Sequence, residues 1–347
     1  MLLMQELMLR LPIKYLVNRN MPKLRRFRRV RVTYIRLNGS LVSMKEFIIE
    51  KDFDGQRLDK LMFKLMPTLR ASEIYMSLRK KKVRVNGKHK DGTYRLNYGD
   101  VVWIYMNDEC FSENIVKHSW ISAKSDISVV YEDENIIIAN KPSGMPSQDI
   151  DGNSDSLESR MRSYLYKKGE IDLNSPLSFI PSLCHRIDRN TSGLVIMAKT
   201  ASALRIINQK IKDREIRKFY ICETETAPSP QSGKICGWLF RDQGMRKMIF
   251  STTKPETNPD AVWCETIYKT LKGGSPATVE AELLTGRTHQ IRAGFSYIGS
   301  PLRGDVKYGA KADGGSQYQR LTSYKIIFDF NTPSGELEYL SGKIITI

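Results

Sequence analysis

Between Ser128 and Phe328 the chain repeatedly makes short apolar runs and breaks them with glycine, proline or asparagine: "IIIANKPSG", "GLVIMAK", "KFYICET", "TVEAELL" and "YKIIFDF". Such runs, rich in β-branched and aromatic residues, suit strands and are too short for helices. Helical spacing is scarcer. It is found at Leu157, Met161 and Leu165, and again at Leu204, Ile207 and Ile211. More strands than helices, in no regular alternation, argue against a doubly wound parallel sheet. The expected class is α+β, with a mixed, largely antiparallel sheet flanked by helices around a central cleft over residues 126–347.

A smaller unit precedes it, over residues 44–107. In "GQRLDKLMFKLM" Leu58, Leu61, Met62 and Leu65 follow helical spacing until Pro67 stops the helix. Ser72 is the expected cap of a second helix carrying Ile74 and Leu78. This helix runs into Arg79, Lys80, Lys81 and Lys82, and a strand alternating Val83, Arg84 and Val85 follows at once. Asn86-Gly87 and Gly99-Asp100 are hairpin signals, and "VVWIY" closes a small antiparallel sheet. Basic residues where a helix meets a strand can lie along a phosphate backbone, although lysines at a helix C-terminus also complement its dipole. Residues 108–125 are polar and are expected to be a linker.

The 347 residues hold 55 Lys and Arg against 38 Asp and Glu, a net +17, so a polyanion is the natural partner. Residues 1–43 contain ten basic residues against one acid, Glu6, and so carry +9 of that excess. This extension admits several readings: a phosphate-gripping arm, a disordered or organelle-targeting segment, or sequence upstream of a true start at Met44. The five cysteines and four histidines have neither disulfide nor zinc spacing, and no metal is expected. No apolar run approaches the roughly 20 residues that span a bilayer. A monomer in a reducing, cytoplasmic setting, away from membranes, is the expectation.

The chemistry-bearing stretch is "CHRIDRNTSG", residues 184–193, in which Asp188 lies between Arg186 and Arg189. Flanking cations favour a carboxylate, which cannot start as a general acid but can act as nucleophile, base or electrostatic stabiliser. No local second carboxylate completes a glycosidase pair. A hydrolase triad would need Ser192, His185 and Asp188 to converge, without a GxSxG elbow. A structural Arg-Asp pair between strands is the plainest alternative. A second segment, "LLTGRTHQIRAGFSYIGSPLRGDVKYG", places Arg287, His289, Gln290 and Arg292 where a strand ends at a Gly-containing turn that opens a helix. So many donors at a strand end suit a substrate that presents phosphates and base edges.

Together with "VVYEDENIIIANKPSGMPSQ" and "KFYICET", and in this order, these segments resemble the RluA family of RNA pseudouridine synthases from about Val129 to Tyr339. The smaller unit, through "QRLDKLM", "VRVNGK" and "YGDVVWI", resembles the RNA-binding domain named after a small-subunit ribosomal protein. The resemblance implies isomerisation of uridine to pseudouridine in structured RNA, with large-subunit ribosomal RNA or a ribosome-assembly intermediate as substrate and no cofactor. It implies Asp188 as the catalytic aspartate, Arg287 as its arginine partner and Tyr220 as the tyrosine beside the target base. Arg186, two residues before Asp188, resembles the arginine associated with the space left by a flipped nucleotide. Arg189, His289, Gln290 and Arg292 are expected to bind substrate, and Arg57, Arg70, Arg79, Lys80, Lys81, Lys82, Arg84 and Lys88 to line the RNA-binding module. Ile187 replaces the family's common leucine, Gly294 stands where a histidine commonly follows "QIR", and "KFYICETET" lacks the usual later glycine. The alternative is a non-catalytic RNA-binding or ribosome-assembly factor on the same fold.

Overall fold

The apolar runs build two separate sheets in the computed structural model, which describes residues 30–37, 40–111, 118–149, 155–173, 179–312 and 318–347. The first comprises β1 (Val30–Leu37), β2 (Ser40–Ile48), β3 (Val83–Val85), β4 (Lys88–His89) and β5 (Val101–Tyr105), all antiparallel in the order β1-β2-β5-β3-β4. Helices α1 (Leu58–Leu65) and α2 (Ala71–Arg79) contribute to its core, in which Leu58, Leu61, Met62, Ile74 and Leu78 meet Phe47, Val83, Val85 and Ile104. Asn86 and Gly87 take φ of 50° and 76°, the left-handed pair that a two-residue hairpin needs, and so turn β3 into β4.

Several expectations change. Residues 30–37 form β1 and residues 40–43 start β2, rather than belonging to a separate extension, because a strand-forming "VRVTYIRL" can extend the sheet edge whatever its charge; residues 1–29 lie outside the described residues. Helix α2 begins at Ala71 rather than after Ser72, with the Glu73 carboxylate accepting the Arg70 N–H at 2.8 Å. The Gly99-Asp100 turn packs on Ile49, just past β2, instead of joining two paired strands: Gly99 N–H donates to the Ile49 carbonyl at 2.9 Å. The expected linker contains a 3₁₀ turn, Ser119–Ser122, whose Trp120 enters the core of the larger sheet. A polar composition hid this anchoring ring and a second one, Phe111, which stacks on Phe47 of the smaller core.

The larger sheet contains β6 (Ser128–Glu132), β7 (Ile136–Lys141), β8 (Ser182–Leu183), β9 (Ser192–Ala198), β10 (Ile216–Thr224), β11 (Ser232–Asp242), β12 (Lys247–Ser251), β13 (Val262–Lys272), β14 (Ala277–Leu283), β15 (Leu321–Phe328) and β16 (Ile344–Thr346). Its main path runs β12-β11-β13-β14-β10-β15-β9-β7-β6. Its paired strands are antiparallel except β9 and β15, so the sheet is mixed as expected. At that parallel junction Gly193 pairs with Ser323 at φ 113°, and a Cβ there would fall 2.1 Å from the Ser323 carbonyl oxygen. The glycine after Asp188 is therefore required by a strand far away in sequence.

The central strands are buried on both faces, which explains their continuous apolar character. Ile137, Ala139, Val195 and Met197 enter one cluster with Leu157, Met161 and Leu165 of α3 (Leu157–Lys167). Their neighbours Ile136, Ile138, Leu194 and Ile196 enter another with Ala203 and Ile207 of α4 (Ala201–Lys212). A fifth helix, α5 (Gln290–Tyr297), follows β14. Among the described residues no helix is long and apolar enough to cross a membrane.

Candidate active site

Asp188 lies in the segment that leaves β8 and enters β9. The segment is extended, so Ile187 turns into the core while Arg186 points outward and Asp188 stays partly accessible. Its backbone is tied from below: the Ser147 hydroxyl donates to the Ile187 carbonyl at 2.7 Å and accepts the Ile187 N–H at 3.2 Å. Fully buried Lys141 donates to the carbonyls of Pro142, Met145 and Arg189 at 2.9, 2.7 and 2.8 Å, using all three ammonium hydrogens. Burial pushes this lysine down to about 8, and the Asp188 charge opposes the shift.

The arginine beside Asp188 is Arg292, with Nη1 at 3.4 Å from Oδ2. Arg287, the partner expected from the resemblance, is exposed in the preceding turn, and its Nε donates to the Trp263 carbonyl at 3.3 Å. His289 has φ 55° and starts α5 on a left-handed residue, so the chain reverses between the two arginines and only Arg292 faces inward. Asp305 aims it: Nε and Nη2 donate to the two Asp305 oxygens at 2.6 and 2.8 Å, and Asp305 is 2% exposed. Burial opposes the Arg292 charge, but Asp305 and Asp188 outweigh it and raise the guanidinium above its usual value.

On the other side, His289 Nε2 is 3.9 Å from Asp188 Oδ2 and its Nδ1 is 2.9 Å from the Tyr308 hydroxyl. The Tyr308 oxygen already accepts the Met248 N–H at 3.1 Å, so its proton is free to donate to Nδ1 and leave an Nε2–H toward Asp188. Burial lowers the His289 imidazole, with Arg292 adding and Asp188 opposing, which favours this neutral form. Tyr220, 5% exposed on β10, is raised by burial and by the Asp188 charge against a bond with Ser323. Asp188 Oδ2 is therefore restrained, whereas Oδ1 has no hydrogen-bond partner among the described residues.

The remaining candidates divide. Arg186 and Arg189 are exposed beside Asp188. Gln290 does not reach a substrate: its oxygen accepts from Thr285 Oγ1 and Arg287 N, and its nitrogen donates to the Glu265 carbonyl and Thr266 Oγ1, which satisfies the amide completely. The hydrolase triad does not assemble, since His185 Nε2 accepts the Ile196 N–H at 3.2 Å and the Ser192 hydroxyl bonds Thr322 at 2.8 Å. In the smaller unit Arg70, Arg79, Lys80, Lys81, Lys82 and Lys88 are exposed, and Arg84 is half-buried over Tyr105. Arg57 is committed to buried Asp59 through bonds of 3.1 and 2.6 Å. A Cβ on Gly294 would meet Ile235 of β11 at 3.1 Å, so this departure from the family pattern falls on packing under α5.

Sequence reasoning missed Lys141, Asp305 and Tyr308 as parts of the site. The only signal for each was its place inside a quoted segment.

His185 makes the structure acid-sensitive. Burial, reinforced by Lys218, pushes its imidazole down to about 3. Its folded pKa is thus below the unfolded value of about 6.5, the unfolded chain binds the extra proton, and the stabilisation present above about pH 6.5 is lost as pH falls toward 3. The contribution approaches about 1.4 kcal/mol per pH unit in that window. In His185→Gln, which keeps an acceptor for Ile196, melting temperature should fall less steeply from pH 6.5 to 4.5 than in the wild type. Parallel curves would place the acid sensitivity elsewhere.

Comparison with known proteins gives the lineage of this arrangement. Residues 135–297 match the family described as RNA pseudouridylate synthase. An uncharacterized RNA pseudouridine synthase of Mycoplasma capricolum is 30% identical over 305 residues, covering 87% of this chain and 97% of the relative. The ribosomal large subunit pseudouridine synthase C of Vibrio parahaemolyticus is 31% identical, covering 75% and 79%. Its namesake from Escherichia coli K12 is 29% identical, covering 85% and 91%.

Proposed function

The chain belongs to the RluA family of RNA pseudouridine synthases, and from that premise we propose that Asp188 is the catalytic carboxylate acting on uridines of large-subunit ribosomal RNA. The family's reaction breaks the bond from ribose to ring nitrogen and joins the same sugar carbon to ring carbon 5. The observation that carries the assignment is a partly accessible carboxylate with one oxygen restrained by Arg292 and the other without a hydrogen-bond partner among the described residues. An open lone pair suits a nucleophile or base, and no activated water is needed. The detached uracil must be held and turned within the site, and Tyr220 and His289 are the groups positioned to border it.

Arg292 and Asp305 act by positioning: their buried pair fixes the cation that keeps Asp188 in one orientation. Arg186 and Arg189 would meet the RNA around the flipped nucleotide, whose unstacking costs a few kcal/mol. The ribosomal substrate rests on the names of the Vibrio and Escherichia relatives and on the net +17 charge. The enzyme is taken to work as a monomer in the cytoplasm. Pseudouridine mapping by carbodiimide chemistry on unmodified large-subunit rRNA transcripts tests the reading. Discrete uridines marked by wild-type protein support it, and an unmarked transcript that is nonetheless bound would favour an assembly factor.

The smaller sheet is proposed to deliver the RNA, through the exposed Arg79, Lys80, Lys81 and Lys82 at the end of α2. Replacing Lys80, Lys81 and Lys82 by alanine should flatten the salt dependence of RNA affinity by about 0.7–0.9 for each phosphate that is no longer neutralised. A salt slope equal to that of the wild type would remove this surface from the interface.

A further inference from the structure

Four lysines are buried among the described residues: Lys45, Lys141, Lys210 and Lys218. Two of the three in the larger sheet unit are fully accounted for, Lys141 by three carbonyls and Lys210 by Glu215 and Thr332. Lys218 is different. It is 7% exposed on β10, yet its ammonium makes no hydrogen bond or ion pair among the described residues. Burial alone pushes it down to about 8.

Its placement indicates which anion would suit it. Lys218 is two residues before Tyr220 on β10, across an irregularity in the strand register between Phe219 and Tyr220. Its charge reaches His185, three residues before Asp188, and it makes no ion pair with Asp188, whose described partners are His289 and Arg292. It is thus beside the reaction centre rather than in it. A Cβ built on Gly286 would come within 3.9 Å of Nζ and meet no other atom within 4 Å. Gly286 is exposed and has no left-handed φ, so neither backbone conformation nor crowding calls for glycine. Its bare backbone leaves open the space beside the largely buried ammonium. The next residue, Arg287, is exposed and spends only its Nε, on Trp263.

We propose that Lys218, reached past the bare backbone of Gly286, and Arg287 together bind a phosphodiester oxygen of the RNA strand next to the target uridine. This rests on the pseudouridine synthase reading and adds to it a subsite for the flanking backbone. It also gives Arg287 a role that its distance from the Asp188 pair denies it in the chemistry. A phosphate is a better fit than a uracil oxygen because the ammonium lies by an exposed turn and apart from Asp188.

The test uses the full chain, an unmodified large-subunit rRNA transcript, and filter-binding affinity measured across a salt series. Lys218→Met, of similar length but uncharged, should weaken binding about tenfold and lower the salt slope by about 0.7–0.9. Gly286→Val, which leaves the charge in place and covers it, should move affinity in the same direction, and the double variant should be no weaker than Lys218→Met alone. Single-turnover tritium release from transcripts labelled at uridine C5 separates binding from chemistry, since the C5 hydrogen leaves when the new carbon–carbon bond forms. The effect is expected on affinity and not on the rate at saturating RNA. An unchanged salt slope in Lys218→Met overturns the proposal, as does a lost saturating rate with unchanged slope, which would give the ammonium to the base. Should Lys218→Met fail to fold, Gly286→Val alone decides. Failure of the broader reading looks different: wild type would release no tritium, while the slopes would remain readable.

Discussion

Asp188→Asn is expected to lower single-turnover pseudouridine formation by about 10³-fold or more, equivalent to about 4 kcal/mol of barrier. The substitution is nearly isosteric, and the new amide oxygen can still accept from Arg292 Nη1, which lies 3.4 Å from the present Oδ2. The fold should therefore persist, with melting temperature close to wild type. RNA affinity should change by no more than about threefold, because one partly accessible carboxylate adds little to an interface dominated by many cations. Tritium release and filter binding on the same preparation measure the two quantities. A variant that still turns over would dismiss Asp188 from the chemistry, and one that neither binds nor melts like wild type would show a structural role instead.

Asp305→Ala is expected to damage both stability and rate. It leaves the Arg292 guanidinium buried without its bidentate partner, and breaking a buried pair in this way costs about 3–5 kcal/mol. In a unit of this size the melting temperature should drop by roughly 10 °C. The freed guanidinium can also swing away from Asp188 or bind it more tightly, and either displacement should cost about 10²-fold in saturating rate. The paired replacement Arg292→Met with Asp305→Leu separates the effects. Stability should largely return, since apolar residues can replace a buried ion pair, while activity should stay low because Asp188 has lost its restraint. Recovery of activity in that double variant would mean that the pair serves the fold alone.

How much of this was legible in the sequence depends on the kind of property. Strand and helix content followed from period and run length, and Leu157, Met161 and Leu165 do pack together in the core. The segments around Asp188 and Arg292 were visible as segments. The assignment within them was not, since Arg287 and Arg292 are both arginines in one short stretch, and a single left-handed residue, His289, decides which turns inward. Gln290 looked like a donor available to substrate and is instead consumed by four bonds to its own turn and β13. Trp120 was hidden in a polar stretch, and β1 was obscured by its charge.

By itself, the sequence determined what is set locally: backbone preferences, the alternation that makes strands, the Asn86-Gly87 turn, and the order of segments by which the family is recognised. Only the tertiary structure decided what depends on residues distant in the chain. It gave Arg292 to Asp188 across 104 positions, locked Lys141 onto the Arg189 carbonyl, forced glycine at 193 against β15, and left Lys218 without a partner among the described residues. A side chain's partners are fixed by which strands the sheet brings together, and pairings between distant strands leave no trace in the spacing of neighbouring residues.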